Sequence, residues 1–153
     1  MDFKYKEHHN RLQAECPPKT YKPLDIDAYR WVFDEGDEQN FQTQYEKFMK
    51  RFPNPSKPPK RYNDISDLEK RGAKMCEDMA YSMYTTAEKA RDSFIFLSER
   101  FPKAVFGKYI AFAKLTKQDG INSEIDENGH FNHHPFELVD YEKRFQIIAN
   151  LIK

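Results

Sequence analysis

The chain has 153 residues, and its 25 basic and 25 acidic side chains cancel, so it lacks the overall footprint of a nucleic-acid binder. This length allows one ordinary domain with one real core. Apolar residues make up 39% and rings 15% of the chain at a mean hydropathy of −0.94, which argues against disorder and asks for a core built from Phe and Tyr.

Residues 1 to 28 are rich in charge, carry Pro17, Pro18 and Pro23 and show no sustained period, so they read as an irregular N-terminal arm ahead of a single domain over 29 to 153. The first residues lack the basic start and apolar centre of an export signal, which points to the cytoplasm. In that reducing compartment Cys16 and Cys76, which lie in no CxxC pair, are expected to be free thiols rather than a bridge.

Tyr29-Arg30-Trp31-Val32-Phe33 is β-branched and aromatic and runs into the turn residues Asp34-Glu35-Gly36-Asp37, so it reads as the first strand. Over 38 to 52, Phe41, Tyr45, Phe48 and Phe52 share one helical stripe. Pro53, Pro55, Pro58 and Pro59 then forbid regular structure. A second helix is expected over 66 to 78 from Ser66 and Glu69 in capping-box spacing, weakened by Gly72. Residues 80 to 84 read as a buried strand. Thr85 and Glu88 then form another capping box, ahead of Ala87, Ala90, Phe94, Leu97 and Phe101 at helical spacing. The apolar run 108 to 116 reads as a central strand, 122 to 127 as a loop, and 131 to 136 as a further strand. Asp140 caps a last predicted helix carrying Tyr141, Phe145, Ile148 and Ile152 on one stripe. The fold class is therefore α+β, a small mixed or antiparallel sheet covered by three to four short helices.

Chemistry-bearing residues fall into three groups. His130 and His134 project to one face of an extended 130 to 136 segment, where Glu137 or Asp119 offers a further ligand, but no HExxH or CxxC spacing is present and no metal is assigned. Charge is segregated: Asp34, Glu35 and Asp37 belong to an acidic stretch, and Arg51, Lys57, Lys60 and Arg61 to a basic, proline-rich loop suited to a partner surface or, as an alternative, to nucleic acid. No GxSxG elbow or glycine-rich phosphate loop occurs among five glycines, and Cys76 reads as a small core side chain.

The run of Tyr29-Arg30-Trp31-Val32, Asn40-Phe41, Pro59 with Arg61, Tyr81-Ser82-Met83-Tyr84, Asp119-Gly120-Ile121 and Gly129-His130-Phe131 resembles a group of small uncharacterised bacterial proteins over about residues 28 to 152. That resemblance implies an accessory role, of the kind found in toxin-antitoxin or defence systems. The same order is similar to toxins of the ADP-ribosyltransferase and RES type. There an early-strand arginine and a later-strand serine frame an NAD site, which would make Arg30, Ser82 and Glu137 catalytic and Arg30, Tyr81 and Tyr84 cofactor-binding. The leading expectation is a non-enzymatic protein that binds a protein partner and needs no cofactor; the NAD-consuming enzyme and the nucleic-acid binder are its alternatives.

Overall fold

The computed structural model describes residues 2–53 and 59–151. In chain order its elements are α1 (Lys6–Asn10), β1 (Ile26–Val32), a 3-10 turn (Glu38–Phe41), α2 (Gln44–Arg51), α3 (Lys60–Asn63), α4 (Leu68–Asp78), β2 (Tyr81–Tyr84), α5 (Ala87–Arg100), β3 (Tyr109–Leu115), β4 (Gly120–Asn122), β5 (His130–Pro135), α6 (Tyr141–Arg144) and β6 (Gln146–Asn150). The strands form one open sheet in the order β4-β5-β2-β1-β3-β6, and every neighbouring pair is antiparallel. The fold is α+β. Among the described residues no helix is long and apolar enough to cross a membrane.

Both sheet faces are covered, and alternation along the strands sorts the rings between them. Ala28, Val32, Tyr81, Met83, Phe131, Tyr141 and Phe145 build one core with Phe41 packed against it, while Tyr84, Ala90 and Ile110 build the other beneath α5 with Trp31 and Phe94. β1 and β3 pair over their full lengths, but β1 meets β2 at a single register point, Tyr29 opposite Tyr84. The two strands splay beyond it, and Arg30 fills the gap. Its guanidinium donates to the carbonyls of Asn40 (2.9 Å) and Ser82 (3.0 Å) and lies over the rings of Phe41 and Tyr81.

Four expectations are corrected. The arm is not wholly irregular: it carries α1, begins β1 three residues early, and pairs with the sheet edge through Phe3 opposite Phe136 and Lys22 opposite Asn122. The stripe of 38 to 52 is divided, because Thr43 accepts from the Glu46 backbone N–H and Glu46 reaches back to Thr43, so a capping box restarts the helix there. The final stripe stops being helical at Arg144. Residues 146–150 instead pair with β3, which would otherwise leave a row of unpaired backbone groups along its edge. Gly120–Asn122, which runs into the segment read as a loop from residue 122, is an edge strand on β5. Helix starts elsewhere are displaced by one residue: Asp67, not Ser66, caps α4, and Thr86, not Thr85, caps α5. Pro55, Pro58 and Ile152 lie outside the described residues.

Cys16 and Cys76 are joined in a disulfide, against the expectation of free thiols. Gly72 makes the approach feasible. A Cβ there would lie 3.1 Å from Ala14 Cβ and 3.2 Å from the Gln13 backbone, so the residue that weakens α4 is the one that lets the arm lie on it.

Candidate functional site

The splay between β1 and β2 opens a cleft of about 700 Å³ whose walls include Arg30, Trp31, Phe48, Tyr84, Val105 and Phe106. Ser82 and His130 line it too. In the β2–β5 register Ser82 faces Asn132 and Tyr84 faces His130, so Ser82 and His130 are diagonal neighbours on one face. Ser82 Oγ lies 2.5 Å from His130 Nε2. Behind the imidazole, Asp126 Oδ2 is 3.7 Å from His130 Nδ1, while Asp126 Oδ1 accepts from the backbone N–H groups of Asn128 and His130, both at 2.9 Å. The turn before β5 therefore fixes the carboxylate, and the carboxylate in turn fixes the strand that carries His130.

Burial pulls the His130 pKa below its ordinary 6.5, with Asp126 acting in the opposite direction, so the ring is neutral at pH 7. Asp126 lies on the Nδ1 side of the ring at 3.7 Å, beyond direct hydrogen-bond reach; the tautomer with its proton on Nδ1 is the one in which Nε2 can accept from Ser82 Oγ. At the other end of the cleft, Lys47 and Arg51 project from α2. Burial, and after it the neighbouring Arg30, lower the Lys47 pKa, while Asp37 and Glu46 act in the opposite direction. Glu77 and Asp78 also border the cleft, but Asp78 is held by Arg61 through bonds of 2.7 and 3.0 Å and Glu77 has Lys74 at 3.7 Å.

The residues singled out from sequence are only partly brought together. Arg30 and Ser82 share the cleft, yet Arg30 binds the Ser82 carbonyl, whereas the Ser82 hydroxyl points to the opposite face, towards His130. Tyr84 borders the cleft and stacks on Trp31 with centroids 5.4 Å apart. Tyr81 sits fully buried on the Arg30 side with its hydroxyl donating to the Phe41 carbonyl. Glu137 is exposed beyond the end of β5, where its backbone N–H meets the Asp2 carbonyl.

Of the charged stretches, Arg51 lines the cleft, Lys60 is 3.9 Å from Asp64, and Arg61 is committed to Asp78. Lys57 lies outside the described residues. Asp34 pairs with Lys108 at 3.1 Å, Asp37 caps the 3-10 turn, and Glu35 borders a separate cavity of about 640 Å³ between that turn and α6. The proposed histidine ligands also separate. His130 faces Ser82, Asp119 is bound bidentately by Arg144, and His134 is buried against the His9 and Tyr21 rings. Asp126 and Asn132 were missed; their signal was the Asp126-x-Asn128-Gly129 turn leading straight into a His-bearing strand.

In comparisons with known proteins, no family model, no curated protein and no solved structure matches this chain.

Proposed function

We propose that the protein is a serine-dependent hydrolase acting on small esters that combine an apolar or aromatic portion with a negative charge. The observation that carries this reading is the 2.5 Å approach of Ser82 Oγ to His130 Nε2 inside a cleft, with Asp126 behind the ring. In the acylation step Ser82 Oγ attacks the ester carbonyl while its proton passes to His130 Nε2, which then protonates the departing alkoxide. Water, deprotonated by the same nitrogen, releases the acid. Asn132, across from Ser82 in the register, is the side chain suited to donate to the oxyanion. Lys47 and Arg51 select the negative charge, and Trp31, Phe48 and Phe106 accept the ring or alkyl chain.

Labelling with a fluorophosphonate tests the reading. The expected result is one adduct, mapped by mass spectrometry to Ser82, and a fall in ester turnover of about a thousandfold in Ser82→Ala and His130→Ala. No adduct on Ser82, or turnover that survives Ser82→Ala, refutes it.

A second reading, binding of a protein partner as in accessory proteins of defence systems, is supported by exposed large apolar side chains on α5 and on the cleft wall. Phe96 is 61% and Val105 68% exposed, and Val105 is part of the cleft wall. Under this reading Phe96→Asp with Val105→Lys abolishes capture of one stoichiometric partner from host extract while ester turnover is unchanged; capture that survives both substitutions removes it.

A further inference from the structure

A second cluster lies outside the cleft, where the N-terminal arm meets β5 and α4. His9 of α1 is 5% and His134 of β5 is 0% exposed, and neither ring nitrogen of either residue has a hydrogen-bond partner among the described residues. Four orphaned nitrogens on two adjacent buried rings are costly, since each lost water contact is left unreplaced. Their ring centroids are 5.5 Å apart and nearly perpendicular, at 82°. Cys16 joins them: one ligand atom each from His9, Cys16 and His134 all fall within 4.8 Å of one another. Cys76 is bonded to Cys16, so its sulfur lies one bond from this cluster and has to swing in to serve as a fourth donor.

We propose that, once the Cys16–Cys76 bond is reduced, His9, Cys16, Cys76 and His134 hold a divalent ion of the zinc class in a four-coordinate site. Two imidazoles and two thiolates are the donor set such an ion takes in closed structural sites. With arms of about 2.0 Å to nitrogen and 2.3 Å to sulfur, tetrahedral neighbours lie about 3.3 to 3.8 Å apart, so the cluster has to contract by about 1 Å. The chemistry balances as follows. The disulfide takes two electrons and two protons from a dithiol, which itself becomes a disulfide. The two thiols then lose their two protons to solvent as thiolates bind the ion. Oxidation reverses the sequence and expels the metal. In either state the arm is fastened to α4, and the Lys4 N–H reaches the Pro135 carbonyl of β5; the metal adds a tie between α1 and β5 through both histidines. The site is therefore a redox-controlled clasp.

The test uses the full chain, reduced with a dithiol, freed of it by gel filtration without air, and titrated with Co²⁺ and then Zn²⁺. The expected result is one equivalent of ion, the intense visible bands of tetrahedral thiolate-bound cobalt, and protection of both Cys16 and Cys76 from alkylation after zinc is added. The oxidised chain binds neither ion. His134→Ala lowers affinity by at least about tenfold, because even outer-shell changes cost that much. If the reduced chain loses its circular dichroism signal, its recovery on adding zinc counts as the expected result. Absence of a stoichiometric ion on the reduced chain overturns the proposal. So does unprotected alkylation in the presence of zinc, or equal binding by the oxidised chain. None of these readouts depends on Ser82 or on turnover, so the clasp and the hydrolase stand or fall separately.

Discussion

Replacing Arg30 separates a structural from a chemical role for this residue. Its guanidinium is buried with no carboxylate bonded to it among the described residues, and it satisfies two carbonyls: that of Ser82, which the splay of β1 from β2 would otherwise leave unpaired, and that of Asn40 in the 3-10 turn. Leaving those carbonyls orphaned costs about 1 to 3 kcal/mol each, nearer the lower bound where the cleft admits water. The stacked contacts over Phe41 and Tyr81 add about 1 kcal/mol. Relief of a buried, unpaired charge works the other way. A net loss of about 3 kcal/mol is expected for both Arg30→Ala and Arg30→Met, since methionine restores volume but no donor. Arg30→Lys, whose ammonium reaches one carbonyl, loses about half as much. Urea unfolding reads this as a lower midpoint at unchanged slope. Should Arg30→Met fall within about 1 kcal/mol of the parent, the guanidinium is not what closes the splay, and the reasoning fails.

Three further substitutions probe separate parts of the molecule. A Cβ at Gly120 would run into the His134 carbonyl oxygen, so Gly120→Ala is expected to push β4 off β5 and cost at least about 2 kcal/mol; near-neutral urea unfolding contradicts that contact. The Cys16–Cys76 bridge closes a separation of 60 residues, for which chain entropy gives about 4 kcal/mol, so the double serine variant, measured against the oxidised parent without metal, should lose close to that amount. Under the hydrolase proposal, activity requires neutral His130. It is therefore full above the folded pKa and lost as pH falls through it, and because that pKa is depressed, the acid limb of kcat/KM lies below 6.5. Asp126→Asn removes the group that raises the pKa and moves the limb lower still; an upward move refutes Asp126 as the orienting carboxylate.

Periodicity disclosed the elements that carry their own instructions. α5 has the apolar repeat and a threonine cap, and β3 has a continuous apolar run flanked by turns, so neither needed a partner to be recognised. The segment after Asp140 did. Tyr141, Phe145 and Ile148 fit a helical stripe, but Tyr141 and Phe145 are spent on the core within a single helical turn, and the β-branched Ile147 and Ile148 then meet the bare edge of β3. An edge offers a backbone partner for each residue, a tertiary gain that helical spacing does not register.

The two candidate sites were hidden for a related reason. Ser82 and His130 are 48 positions apart and meet only because β2 and β5 pair with Ser82 opposite Asn132; a register shift of one residue would turn the histidine to the other face. The histidine-cysteine cluster draws one residue each from α1, the arm, α4 and β5, so no pair has the local spacing by which metal sites are recognised in a sequence. What sequence did contain was the permission for both: Gly72, which lets the arm reach Cys76, and the Asp126 to Gly129 turn, which aims β5. The arm is thus part of the working structure. It seals the face of β5 that holds His134, while the same strand, four residues earlier, presents His130 to the cleft. If both proposals hold, a change in the clasp has a path of one short strand to His130.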